Sequence, residues 1–247
     1  MALPSPERLG SGTRRGVRRA NDLALADPQT ILGDIHLVHV HERFVVVDKP
    51  SGVLSVPGIG PEKADCVVSR VHAAFYAGDP NKPALPSNHL IVHRLDMDTS
   101  GLMVVALDAD AQRELSQQFH DRVPEKSYVA LLDGIVDAEE GFIDLPMRLD
   151  VDNRPYQIVD HVQGRQAQTH YRVLAREIDR TRIEFRPVTG RTHQLRVHAA
   201  YGLGHPILGD VLYGKAAAPR LMLHARTLSF LLPGTQTRVE FESPVPF

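Results

Sequence analysis

The sequence predicts an α+β fold with a mixed, mainly antiparallel central sheet flanked by helices. Two observations carry that prediction. Short apolar runs rich in β-branched residues, as at 44–47 and 102–107, read as strands, and several strand candidates follow one another across short polar turns. Helical stretches are interspersed among them, the pattern of an α+β domain.

Taken in order, residues 1–20 carry Arg8, Arg14, Arg15, Arg18 and Arg19 against Glu7 alone, with Gly10, Gly12 and Gly16 between them. The stretch lacks apolar periodicity, so residues 1–34 are expected to form a flexible basic extension and residues 35–247 the globular domain. A strand at 44–47 runs into Asp48-Lys49-Pro50-Ser51-Gly52, where Pro and Gly enforce a turn. A short helix is expected over 66–76, then a Pro- and Asn-rich loop over 80–88. Residues 90–92 and 102–107 are apolar and flank a polar segment. Asp108 can cap a helix whose Ala111, Leu115 and Phe119 share one face at i, i+4 spacing. Further strands are expected at 128–132, 169–174, 182–186 and 221–232, and a short helix at 191–201 after Gly190.

The chain has 247 residues, with 28 Lys+Arg against 30 Asp+Glu and a formal charge of −2. That balance excludes a general nucleic-acid coating protein, though not one that gathers its arginines on one surface. The single Cys66 removes any disulfide framework or cysteine zinc cluster and suits a reducing cytosol. No apolar run approaches the ~20 residues of a membrane span, and no apolar segment of a secretory signal is found. A cytoplasmic protein with no evident protein partner is expected.

The polar segment reads His93-Arg94-Leu95-Asp96-Met97-Asp98-Thr99-Ser100-Gly101. Charged and hydroxyl groups between buried strands are costly unless they bond one another or serve a site. A turn with Asp98, Thr99 and Ser100 bonded to local backbone, and an Arg94–Asp98 ion pair, is the structural alternative. An EF-hand fails because its twelfth position is Leu107. A kinase catalytic loop fails because Leu95 separates Arg94 from Asp96. A metal-dependent phosphatase using Asp96 and Asp98 stays open. Paired histidines (His39 and His41, His193 and His198) are explained by chance in a chain with 13 His.

This segment resembles the signature of the RluA-type pseudouridine synthases, which isomerise uridine in RNA. The 48–58 block, Gly190 to His198, Gly204 to Asp210 and Arg220 to Ala225 resemble further blocks of that family, in its order, over roughly 35–247. The resemblance implies the fold given above, with an RNA-binding cleft. It implies Asp96 as the catalytic aspartate, Tyr128 as the aromatic packed on the base, and Arg196 as the cation beside the aspartate. Arg94 then fills the space of a flipped-out nucleotide, with Arg191, His193, Gln194 and Leu223 as further substrate contacts.

The chemistry fits those residue types. The reaction breaks the bond from ribose to base nitrogen and rejoins the base through carbon, with no redox change or phosphoryl transfer. It needs neither cofactor nor metal. A carboxylate acts as nucleophile or base, a guanidinium keeps it ionised in a desolvated cleft, and an aromatic face holds the detached base. The compact chain resembles the branch acting on both large-subunit ribosomal RNA and a tRNA anticodon stem-loop. It departs from that branch in Tyr156 and Arg165, where lysines are expected, so phosphate contacts should differ there.

Overall fold

The computed structural model describes residues 18–19, 31–76 and 86–247. Strands β1 (Arg18–Arg19), β2 (Ile31–Leu32), β3 (Ile35–Val40) and β4 (Phe44–Lys49) come first, followed by helix α1 (Val67–Tyr76). Then come β5 (Ser100–Ala106), α2 (Ala109–His120), β6 (Glu125–Asp133), β7 (Glu140–Asp144), β8 (Met147–Leu149) and β9 (Gln157–Val159). The chain ends with β10 (Gln168–Arg176), β11 (Arg180–Pro187), α3 (Gln194–Val197), β12 (Leu223–Leu231) and β13 (Arg238–Glu242).

The main sheet runs β2-β3-β4-β5-β12-β6-β11-β10-β7, with β13 beside β12 and β1 beside β13; β8 and β9 form a separate hairpin. Among the described residues only β5–β12 and β1–β13 are parallel, so the α+β, mainly antiparallel expectation holds. Most of the expected basic extension lies outside the described residues. Its Arg18–Arg19 backbone, however, pairs with Val239 and Glu240, and β2 pairs with β3, so the sheet begins ahead of residue 35.

β4 and β5 read as unbroken apolar runs because both of their faces are covered. Val45, Val47, Met103 and Val105 pack against Val67, Val68 and Val71 of α1. Phe44, Val46, Leu102 and Val104 pack on the other side with Leu115 of α2 and with Phe230 and Phe241. Asp108 caps α2, its carboxylate accepting from the Ala111 amide at 2.7 Å. A third core, built on Ala130, Leu132, Ile183 and Phe185, seats Leu195 of α3.

At the sheet centre β12 is pinned between β5 and β6, with Ala225 opposite both Gly101 and Tyr128. Gly101 has φ +113°, and a Cβ there would stand 2.3 Å from the Ala225 carbonyl oxygen. Only glycine allows this close approach, which joins the polar segment before β5 to the strand carrying Leu223.

Three expectations need correction. The 191–201 helix begins at Gln194, because His193 adopts φ +56° and cannot continue a right-handed helix backward. It then loosens into a π-helical turn over His198–Gly202. The approach at 90–92 belongs instead to a 3₁₀ turn, Ser87–Leu90, followed by extended Ile91. Ser100 bonds the His224 ring at 2.8 Å and the Arg220 guanidinium, two side chains far along the chain rather than local backbone.

Candidate active site

All eight residues singled out by sequence line one cleft of about 590 Å³: Arg94, Asp96, Tyr128, Arg191, His193, Gln194, Arg196 and Leu223. Arg94 and Asp96 sit in the loop before β5, Tyr128 on β6, Leu223 at the start of β12, and the rest on and just before α3. The sheet order that puts β12 between β5 and β6 is what gathers segments more than a hundred residues apart.

The Asp96 loop is clamped from behind by the turn after β4. Lys49 is fully buried, and its ammonium donates to the carbonyls of Pro50 (2.9 Å), Val53 (2.7 Å) and Met97 (2.7 Å). The Gly52 amide donates to the same Met97 carbonyl at 2.9 Å. The Ser51 hydroxyl donates to the Asp98 carbonyl at 2.7 Å, and Ser55 holds Leu95 through both its amide and its carbonyl. Five hydrogen bonds to four backbone groups at 95, 97 and 98 thus leave Asp96 little freedom. Burial pushes Lys49 down to about 7, against the fields of Asp98 and Asp96.

Arg196 is buried, and its Nη1 lies 3.8 Å from Asp96 Oδ2. Its tight partner is a different carboxylate. Asp210 accepts from Nε at 2.8 Å and from Nη2 at 2.6 Å. Burial works against the Arg196 charge, but the Asp210 hydrogen bonds outweigh it and raise the guanidinium. Tyr128 lies in the same pocket; burial, and then the Asp96 charge, push its phenol above the ordinary range and keep it neutral.

The remaining residues divide into exposed and engaged groups. Arg94 is exposed and has no ion pair among the described residues, so the Arg94–Asp98 alternative is not formed. Gln194 is buried with its amide fully used. It accepts from the Thr189 hydroxyl and the Arg191 amide and donates to the Gln168 carbonyl and Thr169 hydroxyl, all at 2.8 to 2.9 Å. It therefore ties the loop before α3 to β10. His193 shares a 2.8 Å hydrogen bond with the Tyr213 hydroxyl. Arg165 is exposed on the loop before β10, and the Tyr156 ring stands edge-on to Tyr213 at 5.8 Å.

The structure adds cleft residues that sequence reasoning missed. Arg122 lies just past α2 with φ +60°, a left-handed position that ends the helix and places it at the cleft rim. Lys126 stands 5.8 Å over the Phe119 ring, and burial lowers its pKa. His93 stacks on the same ring at 4.4 Å and accepts from the Val104 amide; burial first, then Lys126, draws it down to about 3. Arg94, Arg122, Lys126 and Arg191 face the cleft with no carboxylate within ion-pair distance among the described residues. Elsewhere arginines are paired, as in Arg43–Asp108, Arg148–Asp160, Arg176–Glu139 and Arg226–Glu242. Lys126, two residues before Tyr128 on the same strand face, could have been found from strand periodicity. Asp210 closes the Gly204 to Asp210 block, but nothing in that block pairs it with Arg196.

Among the described residues, no three His, Cys, Asp or Glu side chains gather to hold a metal ion. No helix of the described residues is long and apolar enough to cross a membrane.

The family model described as RNA pseudouridylate synthase matches residues 43–201. The chain is 44% identical over 218 residues to the dual-specificity RNA pseudouridine synthase RluA of Pasteurella multocida, covering 86% of this chain and 94% of that one. It is 45% identical over 216 residues to the protein of the same name from Yersinia pestis, covering 85% and 99%. Among solved structures, Human RNA Pseudouridylate Synthase Domain Containing 1 superposes with a TM-score of 0.69 at 27% identity, over 88% of this chain and 86% of that one.

Proposed function

Because the chain belongs to the RNA pseudouridylate synthase family, we propose that it isomerises uridine to pseudouridine within RNA stem-loops, with Asp96 as the catalytic carboxylate. The substrates in this reading are large-subunit ribosomal RNA and a tRNA anticodon stem-loop, met in the cytoplasm. The observation that carries it is the convergence of Asp96, Tyr128 and Arg196 in one cleft rimmed by four cations without carboxylate partners among the described residues.

The neutral Tyr128 ring offers a stacking face that holds a base during rotation, an interaction worth roughly 1–3 kcal/mol and tolerant of orientation. Asp96, with its side chain 20% exposed, is the acidic group of the pocket that a flipped nucleotide can reach. Arg196 sets a positive charge 3.8 Å from the Asp96 carboxylate without closing into a tight pair. Exposed Arg94 can enter the stack where the base has left, its planar cation suited to both bases and phosphates. The C1′–N1 bond breaks, the base turns, C5 bonds to C1′, the C5 proton is released to solvent, and N1 takes up a proton in its place.

That proton supplies the test. A short stem-loop carrying uridine tritiated at C5 should release tritium with the native chain, and Asp96→Asn should abolish release while still binding the RNA. An unchanged rate in Asp96→Asn would remove Asp96 from the chemistry. Activity on intact ribosomal RNA with none on any isolated stem-loop would overturn the substrate reading.

A further inference from the structure

Arg196 carries the second charge of the proposed chemistry, and what holds it lies outside the motif that contains it. Its guanidinium has three edges. Asp210 takes Nε and Nη2 in a bidentate fork at 2.8 and 2.6 Å, leaving Nη1 toward Asp96. The Asp210 carboxylate is fully buried, and its Oδ1 also accepts from the amides of Leu212 (2.9 Å) and Tyr213 (3.1 Å). A fork of this kind fixes the plane of a guanidinium as well as its position.

The cradle has a second wall. The Tyr213 ring stands 5.3 Å from Arg196 Cζ, and its hydroxyl accepts from the Gln157 amide at 2.8 Å while bonding His193. The turn that delivers Asp210 is equally constrained: Gly209 has φ +76°, and a Cβ there would lie 2.0 Å from the Arg220 carbonyl oxygen. Burial raises the Asp210 carboxyl, but the Arg196 hydrogen bonds and the two amides outweigh it and hold it below the ordinary range. It stays charged wherever the protein is folded near neutrality.

We propose that Asp210 is a positioning residue for isomerisation: by binding two edges of Arg196 it presents the third to Asp96 and keeps the two from closing into a full ion pair. Without the Asp210 charge, Arg196 is free to swing onto Asp96 and tie up the carboxylate that must react. The contrast between 2.6 Å to Asp210 and 3.8 Å to Asp96 is the geometry that carries this inference. It rests on the reading of Asp96 and Arg196 given above.

The test compares Asp210→Asn, Arg196→Ala, the double variant and Asp96→Asn by tritium release, RNA binding and thermal unfolding. Asp210→Asn keeps the side-chain shape and an oxygen for the Leu212 and Tyr213 amides. Its kcat should fall about 10- to 100-fold, the range a misplaced catalytic group produces, with RNA affinity within about twofold of native. The double variant should be no slower than Arg196→Ala alone, because Asp210 acts through Arg196. A native kcat in Asp210→Asn overturns the proposal, as does kcat and RNA affinity falling together or a double variant slower than Arg196→Ala. Should Asp210→Asn fail to fold, Asp210→Glu decides: reduced kcat with native affinity supports the proposal, native kcat overturns it. An active Asp96→Asn would instead refute the underlying reading; an inactive one beside a normal Asp210→Asn refutes the Asp210 role alone.

Discussion

Replacing Lys49 by methionine separates what the buried lysine does for stability from what it does for the active site. The substitution keeps the length of the side chain and removes its donors. The Met97 carbonyl keeps the Gly52 amide, but the Pro50 and Val53 carbonyls lose the ammonium. Two buried acceptors left unpaired cost about 1–3 kcal/mol each. Against this, holding a lysine at about 7 instead of 10.5 costs the fold about 5 kcal/mol at neutral pH. The two effects nearly cancel near pH 7, so Lys49→Met should unfold in urea close to the native midpoint there. The balance then shifts with pH. Between about 7 and 10.5 the unfolded chain holds the lysine proton and the folded chain does not, so native stability rises with pH. The variant lacks this gain, and the native chain should pull ahead by about 2 kcal/mol between pH 7 and pH 9. Activity should behave differently. With the tether to Met97 gone, the Asp96 loop is looser, and kcat should fall about 10-fold or more at either pH. A stability gap that stays constant from pH 7 to 9, or a native kcat in a folded variant, would refute the reasoning.

Two further outcomes follow from the cleft rim and the strand seam. Arg122→Gln and Lys126→Met should each lower the slope of log affinity for RNA against log salt by about 0.7–0.9, one phosphate contact apiece. Arg226→Gln, whose cation is already paired with Glu242 outside the cleft, should leave that slope unchanged; equal effects at all three positions would contradict the rim assignment. Gly101→Ala should destabilise the chain by about 3–5 kcal/mol in urea unfolding, from backbone strain at φ +113° plus the clash with Ala225. A loss below about 1 kcal/mol would show that β5 and β12 can separate there at little cost.

The legible part of this fold is the part with strong local physics. β4 and β5 announce themselves because both faces are buried, and α2 because Asp108 and a spaced apolar face agree. β7 escaped notice because Ile143 is the only buried residue in Glu140–Asp144. The hairpin of β8 and β9 has only three residues per strand, too few for alternation to register.

The site shows the same division in sharper form. Every residue singled out for the site reached the cleft, since each lies in a contiguous stretch whose local shape the chain itself encodes. The partnerships between motifs did not follow. Two carboxylates, Asp96 and Asp210, lie on opposite sides of Arg196 in the sequence, and only the sheet order and the Gly209 turn decide which one it grips. The charge count hid the rim for a related reason: a net of −2 sums paired and unpaired cations alike. Arg43, Arg148, Arg176 and Arg226 are neutralised by close carboxylates, whereas Arg94, Arg122, Lys126 and Arg191 have none among the described residues. A polyanion meets the unpaired set in one place, so a nearly neutral chain can bind one RNA fold locally without coating nucleic acid at large.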